Sequence, residues 1–158
     1  MTAPLLDDIT FRTVVAATPL VSIDLVVRRA DGHMLLGLRY NRPAQGYWFV
    51  PGGRIRKGET LDEAFERLTQ TELGVKLARR DARLLGVYEH LYQDSVFGEG
   101  NGAPSTHYVV LGYEVRCDAD LEGILPLAQH ARFGWLTPTA VLALDNAHPN
   151  TKAYIHAL

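Results

Sequence analysis

The stretch "PGGRIRKGETLDEAFERLTQTELG", Pro51–Gly74, constrains this chain more than any other. Thr60 and Glu63 form a T-x-x-E capping box, which starts a helix at Leu61. Gly74 supplies a left-handed stop after Leu73. Leu61, Ala64, Phe65 and Leu68 recur at i, i+3, i+4 and i+7 and predict one buried stripe. At about 100° per residue, Glu72 falls roughly 20° from Leu61, in line with that stripe. Glu66 and Gln70 point the other way. A carboxylate on a core-facing side is costly unless it is paired or bound to a cation. Periodicity alone leaves two readings of Glu72: an end-of-helix glutamate bridged to a nearby arginine, or a cation ligand.

The segments around this helix read as strands. Val21–Arg28 is rich in Val, Ile and Leu, and Asp31-Gly32 marks a tight turn into Met34–Tyr40. Tyr47–Val50 is a short aromatic and β-branched run stopped by Pro51 and the Gly52-Gly53 pair. Leu84–Tyr92 and His107–Arg116 are two more strands, joined by a flexible loop over Gln93–Thr106 with three glycines and a proline. Phe133–Leu136 is a last short strand. Thr137-Pro138 caps a helix running to about Leu144, and Asn150 is placed as the cap of a final short helix. Several strands, one helix mid-chain and another near the end predict an α/β fold, a mixed sheet sandwiched between helices, in one domain over residues 1–158.

Composition narrows the setting. An apolar fraction of 47% supports a packed core, and a net charge of −2 gives no field toward nucleic acid or membrane. Cys117 is the single cysteine, so no internal disulfide forms and a reducing compartment fits. MTAPLLDDIT has no basic region followed by an apolar run, so no signal peptide is expected, and no stretch approaches the ~18 apolar residues of a membrane span. The expected location is the cytoplasm.

The loop before the helix carries the chemistry. Two glycines let backbone approach a ligand closely. Arg54, Arg56 and Lys57 set cationic donors beside it, which suits phosphate, although any such loop alone also reads as solvated surface. It is neither a P-loop nor a dinucleotide-binding G-x-G-x-x-G. Taken together, Gly53, Glu59, Arg67, Glu72, Gly74 and Val75 match the frame G-x5-E-x7-R-E-U-x-E-E-x-G-U. The chain thus resembles the Nudix hydrolases, with Leu68 and Thr71 in place of two glutamates and Thr69 in place of the bulky aliphatic.

"YNRPAQGYWFVPGGRIRKGETLDEAFERLTQTELG", "TPLVSIDLVV", "THYVVLGYEVR", "QHARFGWLTP" and "DNAHPNTKAY" are together similar to the GDP-mannose mannosyl hydrolases, a Nudix branch with the same departures. That resemblance runs from about Phe11 to Tyr154. It implies a homodimer dependent on Mg2+, with Mn2+ as a substitute. The implied reaction turns GDP-mannose or GDP-glucose into GDP and free sugar, by inverting attack at sugar C1. Histidine suits the base such an attack needs. Of six candidates, His33 and His156 read as surface residues. His90 and His107 read as hydrogen-bonded structural residues in strands, and His148 as part of a polar loop before a proline. His130 lies in a loop entering a strand and, by the resemblance, is the general base, with Gln129 as an added metal ligand. By the same carry-over Glu72 and the Gly52 carbonyl hold Mg2+. Arg54, Arg67 and Arg39 stabilise the departing GDP, Asp24 meets the sugar end, and Tyr108 meets the diphosphate. Arg67 has a second reading, a pair with Glu63 one turn back. Leu38 stands where relatives carry a basic residue. Thr10 stands where an acid is expected, with Asp8 near but out of register as a substrate contact.

Two further hypotheses remain beside the GDP-sugar hydrolase. One is a pyrophosphatase attacking phosphorus, kept open by Glu59 and Glu72. The other is a non-catalytic nucleotide-binding module on the same fold.

Overall fold

A computed structural model describes residues 5–121, 124–126 and 130–158; the side chains of His130 and Ala131 lie outside the described set. In order the elements are α1 (Asp8–Ala17), β1 (Leu20–Arg28), β2 (Met34–Arg39), β3 (Trp48–Phe49), β4 (Gly52–Arg54), α2 (Leu61–Leu73), β5 (Arg83–Tyr92), β6 (Thr106–Arg116), β7 (His130–Leu136), α3 (Pro138–Ala143) and α4 (Pro149–Ile155).

β1 organises the seven-stranded sheet. It runs parallel to β6 from Leu20↔Tyr108 to Arg28↔Arg116. On its other edge it is antiparallel to β4, with Asp24 opposite Gly52. β2 joins β1 at Arg28↔Met34 and then departs from it, pairing with β3 on one edge and β7 on the other. β5 closes the far side against β6. The mixed sheet therefore opens into two wings, and the gap between them holds the cavity described below.

Alternation along β1 explains why it reads as an unbroken apolar run, since both of its faces are covered. Ile23, Leu25 and Val27 pack with Ala64, Phe65, Leu68 and Leu73 of α2. Val26 faces the opposite layer, with Met34, Leu36, Phe49, Val141 and Tyr154. Asp24 shares that second face. Fully burying a side chain such as Phe65 or Tyr154 contributes about 1.5–3 kcal/mol.

The capping box forms as the spacing predicts: Thr60 accepts from the Glu63 amide, and Glu63 Oε2 accepts from the Thr60 amide at 2.7 Å. The stripe differs by one turn. Leu61 is 39% exposed, while Thr69 and Glu72 join Ala64, Phe65, Leu68 and Leu73 in the buried set. Four elements depart from the sequence reading. β7 begins at His130 instead of Phe133, so the backbone of His130 belongs to the strand and not to the loop before it. α1 was not anticipated; its signal is Asp7, whose side chain accepts from the Thr10 amide. Gly52–Arg54 forms β4 instead of only ending a strand. α4 is capped by His148, whose Nδ1 accepts from the Asn150 amide at 3.1 Å, so the cap lies two residues before the expected one.

Candidate active site

The glycine pair is required by close approach within the protein. A Cβ on Gly52 would sit 2.5 Å from the Ile23 carbonyl oxygen and 2.6 Å from Asp24 Oδ1; a Cβ on Gly53 would sit 2.5 Å from Leu68 Cδ2. Leu68 thus occupies the place of a missing glutamate as core packing, 3% exposed, between α2 and the β4 turn. Thr69 is equally structural: it is fully buried, and its hydroxyl accepts from the Leu77 amide at 3.0 Å and donates to the Glu66 carbonyl. Thr71 is exposed.

Glu59 is a clamp. Its side chain is fully buried and takes Arg67 Nε on one oxygen and Arg67 Nη2, at 2.9 Å, on the other. Glu59 Oε2 also accepts from the Arg56 amide at 2.8 Å, while Arg67 Nη2 donates to the Arg54 carbonyl. The Arg67 bonds hold the Glu59 carboxyl down at about 2. Arg67 therefore pairs with Glu59, not with Glu63, which the helix cap occupies. The loop Arg54–Glu59 is tied to α2 through this pair.

Glu72 is 5% exposed. Burial pushes its carboxyl up to about 7, against the opposing pull of Arg39 and Arg67. Leu68 and Glu72 are one turn apart on the same face, so the Leu68–Gly53 contact brings the β4 turn beside the Glu72 end of α2. Among the described residues, no group of three or more His, Cys, Asp or Glu side chains could hold a metal. The donor set fits one hard cation, held by a buried carboxylate and backbone oxygen and completed by ligand oxygens, better than an all-protein cage.

Between the wings lies a cavity of about 350 Å3. Asp24, Arg39, Gly52, Arg54 and Tyr108 line it, all named by the sequence reading. Arg54 stacks 4.3 Å over the Phe11 ring, and burial lowers its guanidinium. Arg39 Nε donates to the Pro43 carbonyl at 3.0 Å. Burial raises the Tyr108 phenol. Asp24 is 7% exposed and accepts from the Tyr154 hydroxyl at 2.6 Å. Burial lifts it to about 7, with Tyr154 and Arg39 opposing.

Asp8 is exposed in the first turn of α1, whereas Phe11 and Val15 of the same helix reach the cavity. His130 opens β7, its backbone in register with Arg39; its side chain and all of Gln129 lie outside the described residues.

Sequence reasoning missed one wall. His90 lines the cavity, 4% exposed, and its Nε2 has no hydrogen-bond partner among the described residues. It is buried, and its Nε2 does not make the kind of structural bond assigned to it. Burial lowers it to about 4. His148 is also no plain loop residue: it is half-buried against Tyr47, Phe49 and Tyr92. The signal was the tail "DNAHPNTKAY", whose His148, Asn150 and Tyr154 all face this region.

The NUDIX domain family model matches residues 18–158. The chain is 38% identical over 148 residues to the low-salt glycan biosynthesis protein Agl8 of Haloferax volcanii, spanning 94% of this chain and 87% of that protein. It is 39% identical over 70 residues to an ADP-ribose pyrophosphatase of Methanocaldococcus jannaschii, spanning 44% of this chain and 40% of that one. The MutT NUDIX hydrolase from Burkholderia pseudomallei superposes with a TM-score of 0.71 at 26% identity, covering 89% of this chain and 98% of that one. The chain belongs to the Nudix hydrolase family.

Proposed function

We propose that this Nudix hydrolase releases the sugar from a GDP-sugar, GDP-mannose or GDP-glucose, by water attack at C1 with inversion. One observation carries the reading. Where the family frame has a second and third glutamate, α2 has Leu68 sealed into the core and Thr71 in solvent, leaving Glu72 as its one buried carboxylate. Attack on phosphorus calls for several carboxylates gathering metal around the phosphates. Attack on C1 asks mainly that the departing diphosphate be stabilised.

Nudix hydrolases use divalent cations. Here Glu72 and the Gly52 carbonyl, with Gln129, would hold Mg2+ or Mn2+, which when bound supplies positive charge to the leaving diphosphate. Arg54 and Arg39 line the cavity and add fixed positive charge at low solvent exposure. Arg67, locked by Glu59, fixes the Arg54 carbonyl and so orients the loop. Asp24 binds the sugar end, Tyr108 the diphosphate, and Asp8 stands near the nucleotide segment. His130, at the start of β7 opposite Arg39, takes the proton from the attacking water. GDP leaves without protonation, so no second carboxylic acid is needed. We extend the proposal to a homodimer acting on small nucleotide sugars, with no nucleic-acid partner. The described residues contain no helix long and apolar enough to cross a membrane.

The partial likeness to an ADP-ribose pyrophosphatase favours the competing reading, attack on phosphorus. Turnover in 18O-labelled water decides between them. Label in the free hexose is the expected result; label in GMP or in a sugar phosphate would overturn the C1 mechanism. Measurable GDP binding with no turnover would leave a binding module.

A further inference from the structure

Two residues that line the cavity, Asp24 and Tyr92, are each hydrogen-bonded by a side chain of α4. One α4 partner is a phenol and the other a carboxamide, and each sets the hydrogen bonding of the lining group it meets. Tyr154 donates to Asp24 Oδ2 at 2.6 Å. Tyr154 is fully buried against β6, where its ring excludes any side chain at Gly112: a Cβ there would sit 2.7 Å from Tyr154 Cε1. Its phenol is thus a donor to Asp24, whose ionised form keeps lone pairs for a further partner. The second group is Tyr92, at the end of β5. Asn150 Nδ2 donates to the Tyr92 hydroxyl at 3.1 Å. A phenol has one proton and two lone pairs. With one lone pair taken by the Asn150 amide, the Tyr92 proton is free to go elsewhere, and Tyr92 lines the cavity together with Asp24.

We propose that Tyr92 is a substrate-binding hydrogen-bond donor, set in that role by Asn150, and that with Asp24 as acceptor it forms a matched pair for the hydroxyls of the substrate's sugar. The proposal rests on reading the ligand as a nucleotide sugar. A sugar hydroxyl both donates and accepts, so a phenol with a free proton beside an ionised carboxylate matches both of its capacities. Another part of the cavity wall is of a different kind, with Arg54 stacked on Phe11, a cation and an aromatic face suited to phosphate and base. The part bonded to α4 offers hydroxyl chemistry walled by rings: Tyr92 meets His148 at 5.5 Å and His90 at 6.3 Å between centroids. Asp24 and Arg39 both bear electrostatically on the Tyr92 phenol, which burial raises.

Asn150→Asp supplies the test. The substitution replaces an amide donor by a carboxylate that only accepts, so it captures the Tyr92 proton. An acid in the first turn of α4 is favourable to the helix, so the fold is retained, as an unchanged thermal midpoint verifies. KM for GDP-mannose and the inhibition constant of the product GDP are measured for wild type, Tyr92→Phe, Asn150→Asp and the double variant. A lost hydrogen bond predicts that each single variant raises KM about 3–10-fold, with the GDP constant changed less than twofold. In the Tyr92→Phe background, Asn150→Asp should then add nothing. Equal losses from Asn150→Asp in both backgrounds, or a GDP constant that rises together with KM, would overturn the inference. If the wild-type enzyme turns over no nucleotide sugar, the proposed function falls and this inference falls with it.

Discussion

Restoring the missing acid is the sharpest probe of why this helix departs from its family frame. In Leu68→Glu a carboxylate replaces a side chain that is 3% exposed and packed on Gly53. Glu72, one turn away on the same face, gauges the cost. Burial lifts it from 4.5 to about 7. At about 1.36 kcal/mol per pK unit, that is about 3 kcal/mol against the ionised form near neutral pH. Leu68 also loses part of its apolar burial, about 1–2 kcal/mol. Leu68→Glu should therefore destabilise the metal-free protein by about 4–5 kcal/mol, comparable to the whole stability of a small domain. Thr71→Glu, at an exposed position, should stay within about 0.5 kcal/mol. Urea denaturation in chelator-treated buffer measures both. An Leu68→Glu protein as stable as wild type would refute the packing account. Recovery of most of the loss on adding Mg2+ would refute the single-cation reading, because it would place residue 68 within reach of the metal.

Glu59→Gln should remove about 3 kcal/mol at neutral pH, since Arg67 holds the buried Glu59 carboxyl near 2, well below its ordinary 4.5. The sign follows from the lowered value: this stabilisation is complete above about 4.5 and is lost as pH falls toward about 2. The wild-type acid limb should therefore be steeper than the variant's, and equal slopes in acid-dependent thermal midpoints would remove Glu59 from that role. His130→Gln should lower kcat roughly 10²–10⁴-fold with little change in KM, the range for a lost general base; unchanged turnover of GDP-mannose would exclude it.

Much of the fold is legible in the sequence because local chemistry and global packing agree there. The T-x-x-E box, the Gly74 stop and the β-branched run of β1 each admit few conformations, and each forms. Agreement fails where one residue has two competing uses. Leu61 keeps the helical period but lies on the outer edge of the stripe, so it is exposed. β4 is hidden because glycine gives no strand signal, although close approach to Asp24 and Leu68 is what demands glycine there. α1 is hidden because Thr10, Thr13 and Val14 are poor helix formers.

At the site, the same distinction separates what was readable from what was not. Residues fixed by spacing along one helix or loop, Gly52, Arg54, Arg67 and Glu72, are legible because their relation is local. Asp24 is named through the resemblance, but its α4 partner Tyr154, 130 positions away, is not, nor is the pair Tyr92 and Asn150, 58 apart. Only the parallel pairing of β1 with β6, and the return of the chain behind them, bring those groups together. This contrast also bears on function. On the proposed function, the local set would handle charge, which any diphosphate presents, and the assembled set would handle hydroxyl groups, which a nucleotide sugar presents and a bare diphosphate does not. Selectivity for the sugar should therefore follow changes in α4 and β5, and tolerance of the diphosphate should follow changes between Gly52 and Glu72.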